Sequence, residues 1–181
     1  MSSTSLADYE SIVGKQTIGE LQLLAEGLKG RRVKMVNSTA VGGGVAEILN
    51  RLIPLLNELG IPTDWEVIRG GEDFFEITKK IHNALHGEPL SLTPRMKEVF
   101  LEVSRENLRY TNLDQDFIVI HDPQPILYIE AKDRTAAKWA WRCHIDISNP
   151  NGEVWEFLNG YVEKYDAALF SSPRFSKRLP I

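Results

Sequence analysis

The stretch from Arg32 to Leu59 limits the fold more than any other part of this chain. An apolar run, Arg32 to Asn37 with Val33, Met35 and Val36, leads into Ser38-Thr39-Ala40-Val41-Gly42-Gly43-Gly44. Ala46, Leu49, Leu52, Ile53, Leu56 and Leu59 then recur at helical spacing up to Gly60. A short unbroken apolar run reads as a buried strand, and the 3.6-residue period after it reads as an amphipathic helix. Three consecutive glycines fit neither, so they mark a loop between the two. Strand, glycine loop and helix in that order form the first half of a βαβ unit, which commits the chain to a parallel sheet.

The same alternation continues downstream. Trp65 to Ile68 is a second strand candidate, and Phe74, Ile77, Thr78, Ile81 and Leu85 follow a helical period that stops at Gly87. Thr93 is a good N-cap before Pro94, after which Met96, Val99, Phe100 and Val103 make one helical face. Phe117 to Ile120 and Lys138 to Asp146 read as strands, Pro150 to Val162 as a helix, and Ala167 to Phe170 as the last strand. At the other end, Thr17-Ile18-Gly19-Glu20 reads as a capping box opening a helix with Leu21, Leu24, Ala25 and Leu28 on its inner face. The expected fold is α/β: a Rossmann-like open parallel sheet with right-handed crossovers and helices on both faces.

With 181 residues, one domain is expected. It divides into a helical extension over 1–30, the α/β body over 31–172, and a basic, proline-containing tail over 173–181 that reads as the start of a connection. Lys and Arg number 21 against 25 Asp and Glu, a net charge of −4 that argues against phosphate-backbone binding and so against a nucleic-acid partner. One cysteine allows no internal disulfide, and no run approaches the roughly 18 apolar residues of a membrane span. Met1 to Lys15 lacks the apolar core of a signal peptide, so a cytoplasmic protein without membrane contact is expected.

Ligands of open α/β sheets sit outside the carboxyl ends of the strands, and three polar segments fall there. Gly42-Gly43-Gly44 would let a phosphate or sugar hydroxyl approach free N–H groups. It is no dinucleotide fingerprint, since Glu47 stands where a third spaced glycine is due, and no Gly-Lys-Ser/Thr makes it a P-loop. His121-Asp122-Pro123-Gln124-Pro125 offers an imidazole and a carboxylate on a proline-stiffened loop, the pairing a sugar hydroxyl needs; a turn capped by Asp122 is the other reading.

Along Trp139 to Asp146 the strand period sets Trp139, Trp141, Cys143 and Ile145 on one face and Arg142, His144 and Asp146 on the other. The first set belongs to the core; the second faces a crevice or forms a buried ion pair. Cys143 and His144 point to opposite faces and make a poor nucleophile–base pair. His82 and His86 stand at i and i+4, but Asn83 replaces the glutamate of a metalloprotease motif, so no metal is expected.

Several short motifs in order carry a resemblance. Asn37-Ser38-Thr39 with Gly42-Gly43-Gly44-Val45-Ala46-Glu47-Ile48-Leu49, Phe74-Phe75 with Thr78-Lys79 and His82-Asn83-Ala84-Leu85, His121-Asp122-Pro123-Gln124-Pro125, and Trp141-Arg142-Cys143-His144-Ile145-Asp146 together resemble the N-terminal domain of trehalose synthases of glycosyltransferring type. These are retaining GT-B glycosyltransferases, and the likeness spans about residues 31 to 172.

The resemblance implies one Rossmann-like half of a GT-B fold, acting with a C-terminal donor-binding domain. Glucose would pass from a nucleotide-diphosphate glucose to glucose, giving trehalose, with no metal or other cofactor. Gly42, Gly43 and Gly44 match the loop near the donor diphosphate and acceptor, and His121 and Asp122 match the segment contacting the acceptor sugar. His144 matches the histidine near the transferred sugar, flanked by Arg142 and Asp146. His144 and Asp122 are thus the expected catalytic residues, and the glycines, His121, Arg142 and Asp146 the expected substrate contacts.

The domain alone is expected to be inactive, and a surface left open by the other domain would favour a homo-oligomer or a partner. A stand-alone sugar or nucleotide-sugar binding module acting with a partner is the alternative, and a nicotinamide-dependent dehydrogenase is disfavoured by Glu47.

Overall fold

A computed structural model describes residues 4–181. Two helices, α1 (Leu6–Val13) and α2 (Lys15–Glu26), precede β1 (Val33–Asn37), α3 (Gly44–Glu58), β2 (Thr63–Val67), α4 (Glu72–Leu85) and α5 (Pro94–Tyr110). Then come β3 (Phe117–His121), a 3-10 helix (Ile126–Arg134), β4 (Lys138–Cys143), α6 (Gly152–Val162), β5 (Ala167–Phe170) and a short 3-10 turn (Pro173–Phe175).

The strands make one parallel sheet in the order β2-β1-β3-β4-β5. β1 is buried at every position, Lys34 included, whose ammonium pairs with Glu66 at 3.7 Å, so its apolar residues need not alternate strictly with polar ones. Val33, Met35, Phe117 and Val119 point to one layer, where Leu49, Leu52 and Leu56 of α3 and Ala25 of α2 meet them. Val36, Ile118, Ile120, Trp139 and Trp141 point to the other, under Phe74 and Ile81 of α4, Phe100 of α5, Leu158 of α6 and Tyr128 of the 3-10 helix. Helices therefore cover both faces, as the alternation predicts.

Two local expectations are corrected. Helix α2 begins at Lys15 after Gly14 turns the chain at φ 85°, so Thr17 lies inside the helix, its hydroxyl donating to the Val13 carbonyl, and no capping box forms there. The inner residues of α2 are Ile18 and Ala25, while Leu21, Leu24 and Leu28 are exposed. Strand β4 ends at Cys143 rather than Asp146, because its partner β5 ends opposite it at Phe170 and the next N–H, that of His144, goes to the Asp122 carboxylate. The burial alternation nevertheless runs on: Cys143, Ile145 and Ile147 are buried, and His144 and Asp146 only partly so.

Candidate functional site

The strand order creates the site. From β1 the chain crosses by α3 to β2 on one side, then returns by α4 and α5 to β3 on the other, so the carboxyl ends of β1 and β3 part around a crevice. The glycine loop leaves β1 there and His121-Asp122 leaves β3.

Asn37, the last residue of β1 and buried, shapes the loop. Its amide donates to the Thr39 carbonyl at 2.8 Å and its carbonyl accepts from the Trp65 indole at 2.8 Å. Gly42 at φ 72° and Gly43 at φ 86° then take a backbone region costly for other residues and carry the chain into α3. Among the described residues, a Cβ added at Gly42, Gly43 or Gly44 would meet nothing within 4 Å, so the loop's outer side is open. Gly43 provides no side-chain cap, which leaves N–H groups of the first turn of α3 available to an acceptor.

Across the loop lies α4. Phe75, Thr78, Lys79, His82 and Asn83 recur at i, i+3, i+4, i+7 and i+8 and, with Ser38, Thr39, Gly42, Gly43 and Gln124, line a cleft of about 600 Å³. The Gln124 Oε1 is buried without a partner among the described residues, an acceptor that a hydroxyl donor would satisfy. Burial and then the neighbouring His86 push the His82 imidazole below its usual range, so it is neutral at physiological pH.

A second cluster joins the ends of β3 and β4. Asp122 has φ 61°, which turns the chain sharply out of the strand. Its N–H donates to the Arg142 carbonyl at 2.9 Å, its carbonyl accepts from the Trp141 indole at 3.0 Å, and its carboxylate accepts from the His144 N–H at 2.7 Å. His121 Nδ1 and His144 Nε2 are 3.0 Å apart with the rings nearly parallel at 18°. Arg142 is engaged on the β5 side, donating to the carbonyls of Cys143 and Leu169 and to the Ser171 hydroxyl.

Burial sets the charges of this cluster. It pushes the Asp122 carboxyl up to about 6, against the His144 N–H and the Arg142 charge, which favour the carboxylate. It pulls His121 down to about 3, with His144 and Arg142 adding to the effect, and His144 down to about 4, with Arg142 adding. Both imidazoles are therefore neutral near pH 7. Burial also raises the Cys143 thiol, whose Sγ contacts the Ile145 carbonyl, so this cysteine is inert packing.

The structure thus brings His121, Asp122, Arg142 and His144 together at one end of the sheet, beside the glycine loop. Asp146 stands apart, its carboxylate accepting from the Ser148 N–H at 2.9 Å and held below the usual range by the Ser148 hydroxyl and then by that N–H. His82 and His86 lie 5.3 Å apart, and among the described residues no group of three or more His, Cys, Asp or Glu is placed to hold a metal ion. The helical period puts Thr78, Lys79, His82 and Asn83 on α4 but does not by itself put them in the site. Their signal was a stripe of polar residues at helical spacing continuing the Phe75 row.

Residues 35–177 match the family described as "Trehalose synthase, N-terminal domain". The trehalose synthase of Pyrococcus horikoshii is 51% identical over 172 residues, 94% of this chain and 41% of that protein. The trehalose synthase of Rubrobacter xylanophilus is 40% identical over 95% of this chain and 42% of its own. A trehalose phosphorylase of Pleurotus sajor-caju is 31% identical over 97% of this chain and 26% of its own. This chain therefore spans about two fifths of the length of these synthases. The crystal structure of an α,α-trehalose-phosphate synthase (UDP-forming) from Burkholderia vietnamiensis superposes with a TM-score of 0.55 at 16% identity, over 80% of this chain and 40% of that one, a likeness of fold. That fold is the Rossmann-like half of a GT-B glycosyltransferase.

Proposed function

The chain belongs to the family of trehalose synthase N-terminal domains, and from that premise we propose that it forms the acceptor side of a retaining glycosyltransferase making trehalose from a nucleotide-diphosphate glucose and glucose. The observation that carries this reading is the open glycine loop facing the polar stripe of α4 across a cleft of about 600 Å³, ample for a hexose. A second Rossmann-like domain would hold the nucleotide.

In the proposed reaction an acceptor hydroxyl attacks the anomeric carbon on the face from which the diphosphate leaves. The bond from that carbon to the phosphate oxygen breaks, the bond to the acceptor oxygen forms, and the acceptor's proton passes to the departing phosphate. No protein nucleophile is needed, so this domain contributes positioning and charge stabilisation. Backbone N–H groups at the start of α3 suit the diphosphate's negative charge. Lys79, His82 and Gln124 suit hydroxyls of the acceptor in the cleft, and His144 and Asp122 suit those of the transferred sugar. Arg142, fastened to β5, supplies a fixed positive charge behind them.

A chimera tests the reading: this chain replaces the corresponding segment of the Pyrococcus horikoshii trehalose synthase, to which it is 51% identical. With nucleotide-diphosphate glucose and glucose the chimera should yield trehalose, while the isolated chain should yield none. A folded chimera that makes no trehalose overturns the proposal. Nucleotide-sugar binding by the isolated chain, with such an inert chimera, would favour a stand-alone binding module.

A further inference from the structure

Of the groups at the β3 and β4 ends, His121 is the one the proposed reaction does not use. It is 3% exposed, and its Nε2 is buried with no hydrogen-bond partner among the described residues. Its Nδ1 lies 3.0 Å from His144 Nε2. His144 is half-buried, and its own Nδ1 has no protein partner among the described residues.

Two neutral imidazoles in contact through one nitrogen each share a single proton on that contact, so their tautomers are locked together. If His144 donates from Nε2, then His121 must carry its proton on Nε2, a buried N–H with nothing to receive it. If His121 donates from Nδ1, the orphan is only a lone pair, and His144 must carry its proton on Nδ1. Buried unpaired N–H groups are the rarer defect in folded proteins.

We infer that His121 is a positioning residue that donates its Nδ1–H to His144 and thereby holds His144 as the Nδ1–H tautomer, a hydrogen-bond donor toward a sugar oxygen rather than an acceptor. Burial keeps both rings neutral near pH 7, as the lock requires. The donor's role toward sugar rests on the function proposed above. The proton's location does not, because it is a property of the unliganded domain.

The isolated, nitrogen-15-labelled chain tests it without turnover. Long-range nitrogen–proton correlation spectra near neutral pH distinguish protonated from bare ring nitrogens. Both histidines should show protonated Nδ1 and bare Nε2; a protonated Nε2 on His144 overturns the inference at once. In His121→Phe, which fills the space but donates nothing, His144 should shift to the Nε2–H form that free histidine side chains favour. His121→Asn, whose amide can donate from the place of Nδ1, should keep His144 protonated on Nδ1. A purely structural His121 would leave the His144 pattern unchanged in all three chains, and that result also overturns the inference. Should His121→Phe fail to fold, His121→Leu, which also donates nothing, should give the same shift of His144 to the Nε2–H form.

Discussion

Lowering the pH from 7 to 5 should expose the opposed titrations of His121 and Asp122. His121 has a folded pKa near 3 against 6.5 in the unfolded chain, so the unfolded state takes up protons first and stability is lost as the pH falls below 6.5. Over pH 7 to 5 this loss is about 2 kcal/mol for a group that buried. Asp122 acts in the other direction. Its folded pKa is raised to about 6 from 3.8, so the folded state binds the proton first and regains about 1 kcal/mol over the same window. His144 and His82 add losses of the His121 sign, weakened by their exposure to solvent. The partly exposed carboxylates with depressed pKa, Asp116 and Asp146 among them, lose their contributions at lower pH and stay out of this window. Urea unfolding at pH 7, 6 and 5 should therefore show a net loss of about 1 kcal/mol or somewhat more. Asp122→Asn keeps the acceptor for the His144 N–H and tolerates positive φ, but removes the compensating proton, so its loss should grow to about 2 kcal/mol or more. In His121→Phe the slope should flatten or reverse. Equal pH slopes for the parent chain and Asp122→Asn would refute the assignment of a raised carboxyl to Asp122, and an unchanged slope in His121→Phe would refute the buried neutral imidazole.

Trp141→Ala removes a side chain with no exposure and the indole N–H that satisfies the Asp122 carbonyl; urea unfolding should show a loss of about 3–5 kcal/mol. His144→Ala, taking away a half-buried ring and one partner of His121, should lose only about 1 kcal/mol in the same assay, and equal losses would return His144 to a packing role. Gly43→Ala meets no atom of the described residues but must hold φ 86° with ψ 150°, so its melt should show a loss of about 1–3 kcal/mol, whereas at Gly70 an added Cβ would run into the buried Phe74 ring and alanine should be worse. Asn37→Ala leaves the Trp65 indole without its acceptor and frees Thr39; amide hydrogen exchange should speed up over residues 39–43 while β3 and β4 stay protected, and unchanged loop exchange would count against Asn37 as its anchor.

What could be read along the chain, and what could not, divides at the point where a second element becomes necessary. The strands over 33–37 and 117–121 announce themselves because burial on both faces favours apolar runs, the edge strand over 167–170 does so by its Ala-Ala-Leu-Phe sequence although it is only partly buried, and the α4, α5 and α6 stripes do so because each has a sheet to cover. The Leu21, Leu24 and Leu28 stripe shows the limit of that logic: periodicity says which face of a helix is apolar, but whether anything lies opposite is a property of the neighbours, and here α2 rests on Ile18 and Ala25 instead. The 3-10 helix over 126–134 gives no periodic signal in the sequence, because its five buried residues run almost consecutively. Strand parity correctly separates Trp139, Trp141 and Cys143 from Arg142 and His144, yet it carries no information on which strands are neighbours. His121 and His144 meet only because β3 pairs with β4 in the register that sets His121 beside Arg142. That register is held at its end by Asp122, whose N–H, carbonyl and carboxylate each bind a different residue of the Trp141-to-His144 segment. The left-handed backbone of Asp122 makes all three bonds reachable at once, so the residue that looks like a sugar ligand on the loop is also what brings the two histidines into contact.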